Sequence, residues 1–328
     1  MKHIFFALVV WLLPMYSFSN NLSNGSILTI LTQSIGDGKS GYTGHYAVTR
    51  SLLEGLHKIG VPFKYNPRRI EDVTETVYVL SDINALYQAI DLKRAKKIKK
   101  LLAGPCIMVR SNEFNRVLAS PEIDTYIVNS EWTYKGYIED EPSLENRLKI
   151  WYVGVDVDYW QPMNSRHVEK TNNVLVYWKT ESEGFCQQVE DTLRRCNFNP
   201  MRIRYGSYSK EQYKQVLTEV DFAVFISRSE SQGIALAEAW SMDIPTLVWD
   251  PQEPFVVCNK LFWPISAAPY LNKSVGISWK NMTEFEETLS AIRTQLEQFS
   301  PRDWVSKNMS DEVSAQLLLT IVQNATGA

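Results

Sequence analysis

From about residue 27 to residue 280 the chain repeats one pattern. A short run of β-branched and aromatic residues is followed by a longer stretch whose apolar residues recur every three or four positions. Strands that read as unbroken apolar runs, separated by amphipathic helices, are buried on both faces, so the pattern predicts βα units around parallel sheets. The expected strands are Ile27–Leu31, Phe63–Tyr65, Val77–Leu80, Cys106–Val109, Tyr126–Val128 and Lys149–Val153 in the first half. The second half offers Val174–Trp178, Met201–Arg204, Phe222–Ile226, Thr246–Trp249 and Gly276–Trp279. Val48, Leu52, Leu56 and Ile59 form one helical face, and Ser209 with Gln212 reads as a capping box. The alternation breaks at GVDVDYWQPMNSRHVEK, residues 154–170, and then restarts. At 328 residues the chain has about twice the usual domain length. Two open α/β domains are expected, 20–160 and 171–310. A last helix in 311–328, with Val313, Leu317, Leu318 and Ile321 on one face, is expected to pack back on the first domain.

The balance of 34 basic against 37 acidic residues provides no global field to draw the chain onto nucleic acid. Its four cysteines form no CxxC pair, and its four histidines no HExxH, so neither a metal centre nor a disulfide framework is expected. Most of the ten tryptophans read as core residues. Residues 1–19 carry Lys2, the apolar run Ile4 to Leu13 and the small-residue exit Ser17-Phe18-Ser19. They read as a signal peptide or a membrane tether, or as upstream of a true start at Met15, which would place the protein in the cytoplasm.

Three segments compete for the chemistry. SIGDGKSGYTGH, after the first strand, satisfies GxGxxG at Gly36, Gly38 and Gly41, the signature of an NAD(P)-dependent oxidoreductase. Its helical periodicity starts only near Tyr46, too late for a dinucleotide site, and Gln33 stands where a phosphate-binding P-loop needs its first glycine. The alternative is a glycine loop facing an interdomain cleft, with Gly41, Gly44 and His45 as its candidate contacts. The second segment is DFAVFISRSESQGIALAEAWSMDIPTLVWDP, 221–251. A carboxylate just past a strand's C-terminal end lies where open α/β sheets bind ligands, and the helix opening at Gly233-Ile234 provides N–H groups for an anion. Glu238, deeper on that helix, can accept hydrogen bonds from two neighbouring hydroxyls. The bland alternative is a surface helix with two solvated glutamates.

Glu230-x7-Glu238 in the frame strand, SRSESQG, helix, IP, strand resembles the donor-site signature of group 1, family 4-like glycosyltransferases, the retaining branch of the GT-B fold. Tyr205-Gly206-Ser207, Asp221 and Tyr152-Val153-Gly154-Val155-Asp156 follow the family's order. The resemblance implies an α/β fold of two Rossmann-like domains with parallel sheets facing a cleft, and transfer from a nucleotide-diphosphate sugar to a glycan or lipid acceptor without a metal or other cofactor. It implies that Glu238 holds the donor ribose and that Glu230 lies near the transferred sugar. The Gly233 and Ile234 backbone would meet the diphosphate, with Ser231 and Gln232 also in the donor site, and Lys179 or Arg228 would neutralise the leaving group. An exported carbohydrate-binding protein without catalysis is the non-enzymatic alternative.

The third segment, LKRAKKIKKLL at 92–102, reads as a basic amphipathic helix. It would either contact an anionic membrane or be a solvated face anchored by Ile98, Leu101 and Leu102.

Overall fold

The computed structural model describes residues 28–33, 44–162, 171–257, 260–262 and 265–325. The segment 1–19 and the loop glycines Gly36, Gly38 and Gly41 lie outside the described residues.

The first half runs β1 (Leu28–Leu31), α1 (Gly44–Lys58), β2 (Phe63–Tyr65), β3 (Thr76–Ser81), α2 (Ile83–Arg94), β4 (Lys100–Cys106), the single turn α3 (Glu113–Arg116), β5 (Thr125–Val128), α4 (Glu131–Asp140) and β6 (Leu148–Ile150). The second runs β7 (Asn173–Trp178), α5 (Glu183–Arg195), β8 (Asn199–Arg204), α6 (Lys210–Leu217), β9 (Phe222–Ile226), α7 (Ile234–Ser241), β10 (Thr246–Trp249), the hairpin β11 (Phe255–Val257) and β12 (Lys260–Phe262), β13 (Gly276–Trp279), α8 (Met282–Gln295), α9 (Pro301–Asn308) and α10 (Asp311–Asn324). Six parallel strands in the order β2-β1-β3-β4-β5-β6 make one sheet, and five in the order β13-β10-β9-β7-β8 make the other. In each the strand order reverses beside its first strand, and that crevice, at the strands' C-terminal ends, is where such sheets take ligands. The β-branched strands are buried on both faces, with Trp151, Trp160, Trp240 and Trp279 among the largest enclosed side chains. Local chemistry agrees with the fold at the helix starts: Ser209 and Gln212 form the expected capping box of α6, and Ser310 caps α10 through Val313 N.

The segment 92–102 is not a helix. α2 stops at Arg94, Lys96 takes a left-handed φ of 58°, and β4 begins at Lys100. The expected strand Cys106–Val109 is accordingly displaced to Lys100–Cys106. The reason is packing: Leu101 and Leu102 are both fully buried, on opposite faces of a sheet covered on both sides, which a surface helix with one apolar stripe does not achieve. The cations are absorbed locally. Lys93 reaches Asp124 at 2.7 Å and Lys99 reaches Glu75 at 2.8 Å, while Lys100 Nζ donates to the carbonyls of Val322 and Gln323 at the end of α10. Among the described residues no helix is long and apolar enough to cross a membrane.

The chain passes between the sheets twice, and the passages are stitched together. Val155 N donates to Met309 O at 2.8 Å and Asp311 N to Val155 O at 3.2 Å. The approach needs glycine: a Cβ on Gly154 would lie 2.5 Å from Asp311 Cα, and one on Gly55 of α1 would lie 2.3 Å from Asp311 O. α10 thus lies on α1, with Ala315, Leu318 and Ile321 in one core with Val48, Leu52 and Leu56. Lys58 adds ion pairs to Asp158 and Glu312 at 2.8 and 3.4 Å. The buried Asp311 carboxylate accepts from Ser51 Oγ at 2.6 Å. Burial, with the Asp156 and Glu312 carboxylates, raises its pKa to about 7 against the opposing Ser51 hydrogen bond and Lys58 charge.

Two outcomes follow. Gly154→Ala is expected to lower urea-unfolding stability by about 1–3 kcal/mol by forcing backbone apart. Gly184→Ala, in the open first turn of α5, is expected to leave it unchanged or raise it by up to about 1 kcal/mol. Asp311 ionises in the unfolded chain near roughly pH 3.9 but in the fold near 7, so its contribution is complete below the first value and lost as pH rises through the second. The stability of the wild type minus that of Asp311→Asn is expected to decline across that window, measured by chemical unfolding at successive pH values.

Candidate active site

Between the sheets lies a cleft of about 970 Å³. Its second-sheet side is assembled at the C-terminal ends of β7 and β9, the pair beside the order reversal. Lys179 directly follows β7, and its backbone N–H donates to Ile226 O at 3.0 Å, the last carbonyl of β9. Its ammonium is 2.8 Å from both carboxylate oxygens of Glu230 and 4.7 Å above the ring of Tyr205. Glu230 also accepts from Ser227 Oγ at 3.0 Å. The two side chains are only 23% and 16% exposed, so the pair is partly desolvated and its attraction exceeds that of a surface ion pair.

Past Glu230 the chain turns at Ser231 and enters α7. Gly233 caps that helix in the left-handed conformation, φ 79° and ψ 56°, without a side-chain cap. It lines the cleft with Ile234, Ala235 and Leu236, which presents the positive end of the helix dipole to the cavity. Glu238, on the second turn of α7, lines the cleft and is only 2% exposed. Tyr177, Tyr208 and Phe225 complete this side: Tyr177 stacks on Phe225 with centroids 4.8 Å apart and its hydroxyl is 3.0 Å from that of Tyr208.

Gln232 behaves differently from a ligand-facing amide. Its Nε2 donates to Val153 O at 3.0 Å and its Oε1 accepts from Val153 N and Asn129 Nδ2, which makes it a clasp between the halves. Arg228 lies elsewhere in this structure. Its Nε donates to Glu181 at 2.8 Å and its guanidinium lies 5.1 Å over the ring of Trp249, outside the residues lining the cleft. The Glu181 carboxylate and the indole hold that cation away, leaving Lys179 as the ammonium in the cavity.

On the first-sheet side, Gly44 and His45 open α1 at the cleft wall. A Cβ on Gly44 would meet nothing within 4 Å, so packing does not require glycine there. Desolvation lowers the pKa of the His45 imidazole. Gly41 lies outside the described residues. Sequence reasoning missed Trp132, whose indole N–H donates to Glu230 O at 2.9 Å, and Tyr270, whose hydroxyl donates to Asn129 O. Both act across the two halves, a relation to which no local pattern points. Among the described residues no three His, Cys, Asp or Glu side chains are grouped to hold a metal ion, and Cys106, Cys186 and Cys196 form no disulfide.

No protein-family profile matches the chain, and no curated protein sequence is recognisably similar to it. Solved structures are similar in shape. HepE from Anabaena, solved with UDP and glucose, superposes with a TM-score of 0.59 and 11% identity, covering 90% of this chain and 99% of its own. The lipopolysaccharide outer core galactosyltransferase WaaB gives the same values, and sucrose-phosphate synthase from Thermosynechococcus elongatus gives 0.53 and 10% over 90% and 98%. At such identities the likeness speaks to architecture, and with the two parallel sheets and the cleft between them it establishes that this chain has the GT-B fold, two Rossmann-like domains facing each other.

Proposed function

We propose that the chain is a glycosyltransferase that moves a sugar from a nucleotide-diphosphate donor, held by the second sheet, to an acceptor on the first-sheet side of the cleft. The observation that carries this reading is the Lys179–Glu230 pair at the C-terminal ends of β7 and β9, beside the uncapped start of α7. Departure of a nucleotide diphosphate places negative charge where the Lys179 ammonium and the first-turn N–H groups of α7 can stabilise it, with Gly233 and Ile234 closest to the phosphates. Glu230 holds the Lys179 ammonium in place and meets the transferred sugar. Glu238 accepts hydrogen bonds from the donor ribose, and Tyr205, 45% exposed, offers an open ring face beside Lys179. These groups supply charge stabilisation without a metal ion, and a retaining outcome accords with the family signature in 221–251. That HepE was solved with UDP, and that WaaB is a galactosyltransferase, supports a nucleotide-sugar donor.

Melting temperatures with UDP-, GDP- and ADP-sugars are expected to rise with one of them, by an amount that follows RT ln(1 + [L]/Kd), and not with NAD(P)H. A shift with a free glycan alone would instead indicate a binding protein, and one with NAD(P)H an oxidoreductase. Lys179→Ala is expected to lower kcat for sugar transfer by about 100-fold, in the range of losing one transition-state donor. Glu238→Gln is expected to raise donor KM by about tenfold as a ribose hydrogen bond is weakened. A wild-type kcat in Lys179→Ala together with a wild-type donor KM in Glu238→Gln would overturn the donor-site assignment.

A further inference from the structure

The two sides of the cleft differ in charge. Its ionised side chains, Lys179, Glu230 and Glu238, all stand on the second-sheet side, while the described residues of the first-sheet side include no Asp, Glu, Lys or Arg. The part of that wall beside α4 is built from Pro105 at the end of β4, Ile107, Met108 and Val109 after it, and Trp132 and Tyr137 of α4, while Gln33, His45 and Tyr46 line the part beside β1 and α1. The polar side chains of the part beside α4 are already engaged within the protein. Tyr137 OH donates to Met108 O at 2.7 Å, Thr133 Oγ1 to Ser130 O at 2.7 Å, Asn129 Nδ2 to Gln232 at 3.0 Å and Trp132 Nε1 to Glu230 O at 2.9 Å. A saccharide buried against such a wall would leave hydroxyls unpaired, whereas an apolar body gains from every methylene it covers.

Exposed apolar side chains also stand near its edge. Val109, which lines the cleft, and Phe114, in the turn α3 five residues on, are 45% and 43% exposed. Glu113 accepts from Val109 N at 3.1 Å and so folds the segment carrying Phe114 back toward Val109. The loop is built to stay: Phe114, Asn115 and Arg116 all take left-handed φ values of 50–59°, unfavourable for side chains of this type. Anchors at both ends hold that geometry, the buried Arg110–Asp140 ion pair, Ser111 Oγ on Tyr137 O at 2.8 Å, and Arg116 Nε on Glu141 at 2.7 Å.

We propose that the acceptor is a lipid-type alcohol, a hydroxyl at the end of an extended apolar chain, which lies over Ile107, Met108 and Val109 and leaves the cleft along the turn that carries Phe114. This rests on the glycosyltransferase reading above and names the substrate class of that site. The acceptor oxygen bonds to the anomeric carbon as the bond from that carbon to the diphosphate oxygen breaks. The electron pair leaves with the diphosphate, which takes up the hydroxyl proton. An extended chain, rather than a compact aglycone, is favoured because exposed apolar side chains, Val109 and Phe114, stand at and beyond the cleft edge.

The test uses the full chain and the nucleotide sugar that raises its melting temperature most. Nucleoside-diphosphate release is measured with dodecanol in mixed micelles, with benzyl alcohol and with maltotriose. Dodecanol is expected to give a kcat/KM at least about tenfold above either of the others, the discrimination that a few extra buried methylenes provide. Val109→Asp, at an exposed position where folding tolerates a charge, is expected to cut dodecanol use by about tenfold or more, its melting curve and donor-induced shift being recorded alongside. Preference for maltotriose, a benzyl alcohol rate equal to that of dodecanol, no turnover of dodecanol, or a Val109→Asp variant that matches wild type would each overturn the inference. If no nucleotide sugar shifts the melting temperature, it is the glycosyltransferase reading itself that fails.

Discussion

Val155 and Asp311, one on each passage of the chain between the sheets, hydrogen-bond to each other's neighbourhood, and the geometry of the cleft hangs on that meeting. Two separately folded α/β units joined by a single strand of chain would have no defined relation. Here two antecedents of close approach, Gly154 and Gly55, let the start of α10 settle against both the first passage and α1. Once α10 is seated, its apolar face joins the core behind the first sheet, and Trp151 Nε1 donates to Ser314 O at 2.9 Å. The relative placement of the sheets is therefore decided by backbone contacts and core packing, which tolerate less variation than surface side chains do.

That placement creates the asymmetry on which the proposed chemistry depends. The second-sheet side concentrates an ammonium, two carboxylates and a helix start. Among the described residues lining the facing side there is no Asp, Glu, Lys or Arg, and the polar side chains of its part beside α4 are spent on internal hydrogen bonds. A low-polarity wall opposite the Lys179–Glu230 pair raises the strength of every charge interaction in the space between them. The contacts that hold the halves together at the cleft, Gln232 with Val153 and Asn129, and Trp132 with Glu230 O, sit immediately beside this pair. Any movement of one half against the other must therefore be felt at the Lys179–Glu230 pair.

Much of the architecture was legible because the periodic signals were strong. Phe222–Ile226, Thr246–Trp249 and Gly276–Trp279 occur with the bounds expected from their apolar runs, and the Ser209–Gln212 box starts α6 where local hydrogen bonding predicts. One reading failed, and one candidate side chain is turned elsewhere, for different reasons. The stretch 92–102 has helical spacing in its lysines, but two adjacent leucines both demanded burial, and tertiary packing overrode the pattern. Arg228 stood at the right place in sequence for the cleft, yet Glu181 and Trp249, distant in sequence or on another loop, turned it away.

By itself the sequence determined the fold class, most of the strands, and the strand-turn-helix segment that carries Glu230 and Glu238, because these follow from local periodicity and from short-range spacing. Only the tertiary structure decided that Lys179 rather than Arg228 faces the cavity, that Gln232 serves as a clasp, and that an uncharged wall from β4 and α4 stands opposite. Each of those depends on which residues 50 to 150 positions apart are brought together by the packing of two sheets, and hydrophobic patterning specifies which residues are buried, not which partners they meet.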